Sequence, residues 1–291
     1  MSVAVENLRR DLRTRLEADR QMSAGWMLIP LVQTLDAVIL IAVFFAVVFS
    51  AIFSAAQSGT VINRAALTSS LFGLFLLFGV VGFVLSILFA YVLYRLVKRR
   101  NTHFARQSML YEDMERAARE ASVKKGVDVS VQLNNLYRLR REAQLDETPR
   151  DPVLWSVILG FAAGLANSFS SFNLTGGGVS SLGAAFIPSF AMYYVYYFLM
   201  KDMFRHERRE DWFFGELSRT FAAMGINITL PQRLSPIPDK SLIVYIILTI
   251  VTLGFFGVYW VYVLISDPNN HFRYQSLVED TILAQVSPIL V

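Results

Sequence analysis

The chain holds three histidines, His103, His206 and His271. Imidazole is a common ligand for zinc, copper or iron, and a neighbouring carboxylate can orient the ring. Each histidine ends the same pattern, Tyr-x-x-Tyr-x-Leu-x(6)-His. The copies are Tyr91, Tyr94, Leu96 and His103; Tyr194, Tyr197, Leu199 and His206; and Tyr259, Tyr262, Leu264 and His271. Two copies continue as His-Phe-x-x-Gln-Ser, and Asp202 and Asp267 stand four residues before their histidines. Shared spacing at all three favours duplication over coincidence. Three repeated imidazoles could converge on a metal. The favoured reading is plainer: three separate polar residues at a membrane boundary, each capping a helix or meeting head-groups. Helical metal sites usually carry ligands at i, i+3 or i+4, and no histidine here has such a partner histidine. No metal or other cofactor is therefore expected. The six tyrosines read as interface anchors, because aromatic side chains gather at membrane boundaries.

Other chemistry finds little support. The chain has no cysteine, which excludes disulfides, thiolate nucleophiles and cysteine metal sites. There is no G-x-S-x-G or H-E-x-x-H pattern, and the run from His206 to Glu210 has one histidine only. The glycine run 175–179 lacks the lysine and the strand–loop–helix setting of a phosphate loop, and reads as a flexible turn. Arginines interleaved with glutamates give no reason to expect nucleic acid. An enzyme is not the expected reading. Asp36 lies inside an apolar run with Gln33 one turn before it. A carboxylate inside a membrane is costly and marks a functional position by default, yet one acid without a basic partner makes no proton pathway. Asn167 and Asn173 read as hydrogen-bonding groups between helices.

These positions must be held by helices in a membrane. Of 291 residues, 54% are hydrophobic, and the excess is concentrated in runs at about 26–56, 65–97, 153–173, 182–200 and 242–266. A span needs roughly 20 apolar residues. The expected fold is all-α: a polytopic helical membrane protein with four clear spans, a fifth span or re-entrant hairpin, and amphipathic cytoplasmic helices. The expected divisions are a surface helix at 1–25, hairpins at 26–97 and 153–200, and a cytoplasmic helical insert at 98–152. A helix and proline-containing linker follow at 201–241, then the fifth segment at 242–266 and an amphipathic helix at 267–291. Lysine and arginine set the orientation. Five lie in 1–25, thirteen in 95–152 and seven in 201–240, against none in 174–181. These basic segments, and the N-terminus, should be cytoplasmic in a multi-pass cell-membrane protein. Val5, Leu8, Leu12 and Leu16 form one stripe, suited either to an anionic membrane surface or to the protein's own helices. The insert should be a helical hairpin broken at Gly126, with Glu112–Arg116 and Glu115–Arg119 pairs in its first arm.

The fifth segment decides whether the histidines share a side. It starts at Lys240, so a single span would carry His271 away from His103 and His206. Two half-helices at about 242–252 and 255–266, turning at Thr252-Leu253-Gly254, would bring it back. The stretch "V251-T-L-G-F-F-G-V-Y-W260" resembles the Thr-Leu-Gly-[Ile/Phe]-[Tyr/Phe]-Gly-x-Tyr-Trp signature of a prokaryotic membrane family, domain of unknown function 4234. The likeness covers roughly 235–275 and implies no activity. Gly254 and Gly257 within it permit a turn or a close helix approach.

The leading expectation is a non-catalytic membrane scaffold or accessory subunit that self-assembles or packs into a larger membrane complex, with lipid contacts. The alternative is a channel or transporter with Asp36 in the pathway. A third is a membrane enzyme or metal-binding protein using the three histidines.

Overall fold

The computed structural model describes residues 2–158, 160 and 180–290. The described elements are helical. α1 spans Val3–Ala18, a short 3-10 turn spans Ala24–Met27, and α2 spans Leu28–Ser58. α3 is a 62-residue helix, Arg64–Lys125. α4 covers Ser130–Asp146, and a π-helical turn follows at Val153–Ile158. α5 spans Ser180–Ala223, α6 spans Leu242–Val251 and α7 spans Phe255–Leu290. The third apolar segment, with Asn167, Asn173 and the 175–179 glycine run, lies largely or wholly outside the described residues.

Among the described residues, two stretches are long and apolar enough to cross a membrane, Ala24–Ser58 and Ser69–Lys125. In the first, none of the most apolar window is buried against the rest of the protein. Large exposed side chains are concentrated on α2, the first half of α3 and α6, including Phe45, Phe49, Phe53, Leu77, Val80, Ile243 and Val251. Gln33 and Asp36 are half-buried on α2.

α3, α5 and α7 each run on from an apolar half into a charged half, and each packs against the other two. They carry the repeat, and the repeat sets their register. Leu96, Leu199 and Leu264, seven residues before the histidines, are buried in one cluster with Trp260. Seven residues after the histidines, Leu110, Phe213 and Val278 are buried in a second cluster, and four further on so are Met114, Leu217 and Ile282. Steps of seven, seven and four keep one seam of each helix facing the others, as in coiled coils. Residues at equivalent repeat positions therefore meet in layers.

The remaining helices close the charged half. α1 buries Ala4, Val5 and Leu8 in the second cluster against α3 and α7. Its stripe thus packs on the protein's own helices, although Leu16 at the far end is exposed. An ion pair and a hydrogen bond fix the seat: Arg10 pairs with Asp113 of α3, and the Asn7 amide donates to the same carboxylate. α3 ends where expected, with Gly126 at φ 65°. Leu133 and Leu136 on α4 are buried, while Tyr137 is exposed. The expected Glu112–Arg116 and Glu115–Arg119 pairs form at 3.1 and 3.3 Å.

The fifth apolar segment is two helices, not one span. α6 stops at Val251, and the chain reverses through Leu253 (φ 51°) and Gly254 (φ 94°) into α7. Both residues have left-handed φ values, and only glycine adopts such values without strain. Gly254 also sits against Thr34 of α2, where a Cβ would lie 3.3 Å from the threonine methyl.

Candidate metal centre

Because α7 doubles back, His271 joins His103 and His206. Their ring centroids form a near-equilateral triangle, 4.8, 5.3 and 5.2 Å on a side. One ring nitrogen from each lies within 4.8 Å of the others. The three do not sit apart as interfacial caps: their side chains are buried in the seam between helices, away from the helix ends. The six tyrosines, nine and twelve residues earlier in the repeat, point the other way. Tyr91, Tyr194, Tyr259 and Tyr262 are exposed, and Tyr94 and Tyr197 are half-exposed.

Each imidazole is held by a carboxylate, and each carboxylate by an arginine. His103 Nδ1 donates to Asp19 (2.8 Å), which also meets Arg106 at 2.6 Å. His206 Nδ1 donates to Glu147 (2.9 Å), which meets Arg209 at 2.8 Å. His271 Nδ1 donates to Glu207 (3.3 Å), which meets Arg233 at 2.8 Å. An ionised carboxylate only accepts, so these contacts assign the protons of His103 and His206 to Nδ1 and leave their Nε2 lone pairs free to ligate; at His271 the Arg233 guanidinium also approaches Nδ1, at 3.4 Å. The Nε2 atoms of His103 and His206 are 3.0 Å apart, and that of His271 is buried with no hydrogen-bond partner. Two lone pairs facing at this distance repel unless a cation or a proton sits between them. A tetrahedral ion with nitrogen at about 2.0–2.1 Å needs its ligand atoms roughly 3.3 Å apart. The His103–His206 edge is close to that spacing, and the three nitrogens as a set lie within 4.8 Å of one another.

The electrostatics favour the neutral form of His103. Burial holds His103 far below its usual pKa of 6.5, at about 3, although Asp19 pulls the other way. Burial works against ionisation of Asp19 and Glu147. Asp19 is nonetheless kept ionised by His103 and Arg106, and Glu147 by His206 and Arg209, each at about 2. One turn below the histidines, Gln107, Glu210 and Gln275 form a second polar layer linked by side-chain hydrogen bonds. Burial lifts Glu210 to about 6, against the pull of His271 and Arg233.

The histidines were visible in the sequence, but most of their supports were not. Arg106 and Arg209 recur at the third residue after their histidines, a signal that spacing could have found. In the third copy that position is Tyr274. Arg233, from the 201–241 linker, takes the arginine's place and stacks on the Tyr274 ring at 3.9 Å. Asp19 and Glu147 come from chain segments just beyond α1 and α4, where no periodicity marks them. Asp36 and Gln33 lie on α2 and take no part in this centre. Neither makes a hydrogen bond or ion pair among the described residues. Gly254 serves the turn, and a Cβ at Gly257 would lie 3.5 Å from the Thr249 methyl across the α6–α7 hairpin.

Residues 240–289 match the family described as Domain of unknown function (DUF4234), which covers α6 and α7 and includes His271. No curated protein and no solved structure matches the chain.

Proposed function

We propose that this is a multi-pass membrane protein whose cytoplasmic helical layer is pinned by one divalent transition-metal ion on His103, His206 and His271. The observation that carries the reading is the convergence of three buried imidazoles, each backed by a carboxylate–arginine pair. Imidazole nitrogen suits ions of the zinc class. The three side chains are 0, 0 and 1% exposed, so a bound ion would be shut off from solvent, with three protein ligands and a fourth position left to a small ligand such as water. The ion would join the three repeats and so stabilise a non-catalytic scaffold that self-assembles or packs into a larger membrane complex, with lipid around α2, α3 and α6. The exposed apolar surface and the distribution of basic residues support membrane embedding with 98–152 and 201–240 cytoplasmic.

The test is elemental analysis of the full chain purified in detergent, with zinc or cobalt(II) added and excess removed. About one ion per chain is expected, with a tetrahedral cobalt spectrum, and His103→Ala, His206→Ala and His271→Ala should each lose it. Metal at background level in the wild-type chain would falsify the proposal.

A second reading keeps Asp36 in a transport pathway. Its motive is a half-buried carboxylate without a partner among the described residues. Solute flux in liposomes that disappears in Asp36→Asn supports transport, and flux unchanged in that variant removes Asp36 from any pathway.

A further inference from the structure

A second site lies beside α1, away from the histidine seam. A groove of about 640 Å³ opens between the α1 end, residues 20–22 and the α3 face from Tyr91 to Met109. Four cations line it: Arg20, Arg95, Lys98 and Arg99. Arg106 also reaches it but is committed to Glu279 and Asp19. The only acid in the lining is Glu17. The groove is therefore strongly positive.

Its cations are poorly matched by the protein. Arg99 is only 7% exposed, yet it makes no ion pair among the described residues. Its bonds go to neutral oxygens, Ile265 O and Asn269 Oδ1, and its Nε is buried without a partner. Burial drops its pKa to about 10, despite Asp19 nearby. Arg95 bonds the Tyr91 hydroxyl and lies over the Trp26 and Tyr91 rings, Lys98 lies over the Tyr94 ring and Arg99 over the Phe272 ring, and none of these partners is an anion. Basic residues that merely set membrane orientation can stay in water. A buried guanidinium facing a cavity is costly unless an anion completes it. Tyr91 and Tyr94 wall the groove where α3 passes from its apolar to its charged half, and exposed Ile87 and Leu88 lie one turn further into the apolar half. An anion with acyl chains could lay them there.

We propose that this groove binds the phosphate of an anionic lipid headgroup, with Arg99 at its base and Arg95 and Lys98 at its mouth. Phosphate suits such a site because its oxygens accept several guanidinium and ammonium hydrogen bonds at once. The site is independent of the metal centre and goes beyond that reading.

The experiment uses the full chain in nanodiscs of phosphatidylcholine, with and without a fraction of phosphatidylglycerol. Melting temperature and lipid retained on mild extraction are the readouts. The wild-type chain should gain several degrees with phosphatidylglycerol and retain that lipid selectively. Arg95→Gln/Lys98→Gln should melt like wild type in phosphatidylcholine and lose most of the gain. Arg138→Gln/Arg141→Gln, which removes the same charge from α4, should keep it. Equal loss in both double variants would show general surface attraction and overturn the proposal. Inorganic phosphate and pyrophosphate form the second arm in phosphatidylcholine discs. A shift with either soluble anion but none with phosphatidylglycerol overturns the lipid source and gives the groove to a soluble phosphate compound. No shift in any arm overturns the site.

Discussion

At the residue scale, the centre rests on second partners as much as on the histidines. Asp19 fixes which nitrogen of His103 carries the proton, and Arg106 keeps Asp19 ionised. Asp19→Asn should leave the fold intact and weaken metal affinity about 10–100-fold, the usual range for a lost outer partner; competition with a chelating dye measures it. Unchanged affinity would mean that the carboxylate does not orient the ligand. Arg233 stands against Glu207, Glu210 and Asp211 at 2.8–2.9 Å. Arg233→Met leaves buried carboxylates facing each other and should cost about 3–5 kcal/mol, read from chemical denaturation. The pH response follows from the same groups. His103 is folded-neutral down to about pH 3, whereas the unfolded side chain takes a proton near 6.5. The unfolded state then binds more protons, so metal-free stability should fall as pH drops below 6.5, at up to about 1.4 kcal/mol per pH unit from this residue. Glu210 opposes this, since its raised pKa of about 6 makes the folded state bind the extra proton between 4.5 and 6. Glu210→Gln should therefore steepen the acid loss of melting temperature in metal-free protein, and an unchanged slope would mean that Glu210 titrates normally.

At the element scale, the α6–α7 hairpin is what makes the centre possible, because it returns His271 to the other two histidines. Gly254→Ala meets two obstacles, φ 94° and the Thr34 methyl at 3.3 Å. It should destabilise by about 1–3 kcal/mol and lower metal occupancy with it. Thr34→Ser removes the methyl, so Gly254→Ala made in that background should recover the steric part and keep the backbone part. Full stability of Gly254→Ala in thermal unfolding would show that the turn is looser than described. Much of this was legible beforehand. The place where a break could fall, Thr252-Leu253-Gly254, the α3–α4 hairpin at Gly126 and the equivalence of the three histidines all follow from local turn chemistry and spacing. What spacing could not choose was one span against two half-helices, because an apolar run of 25 residues satisfies both. That single choice decided whether the histidines met, and so the metal reading was set aside for want of i, i+4 pairs. The three histidines come from three helices, one each, where a rule about neighbours on a single helix has no purchase.

At the scale of the whole molecule, the repeat explains why one end is charged and buried while the other is apolar and exposed. Each of α3, α5 and α7 places its tyrosines outward at the changeover and its leucine, histidine and polar layers inward below it. The three charged halves assemble only if they lie on one side of the bilayer, since they share a continuous core with α1 and α4. Sidedness is therefore the decisive property of the assembly, and the absence of cysteine makes it simple to read. Single cysteines belong at exposed, unbonded positions: Val61 in the α2–α3 loop, Leu234 in the linker and Leu277 on α7, which are 93, 87 and 59% exposed. In intact cells an impermeant maleimide should label Val61→Cys and leave Leu234→Cys and Leu277→Cys untouched until the membrane is opened. Labelling of Leu277→Cys from outside would place α7 across the bilayer from the linker. His271 could not then share a seam with His103 and His206, and the metal centre would fall with it. Protection of both Leu234→Cys and Leu277→Cys, with Val61→Cys labelled, is the arrangement in which three helices can close around one ion.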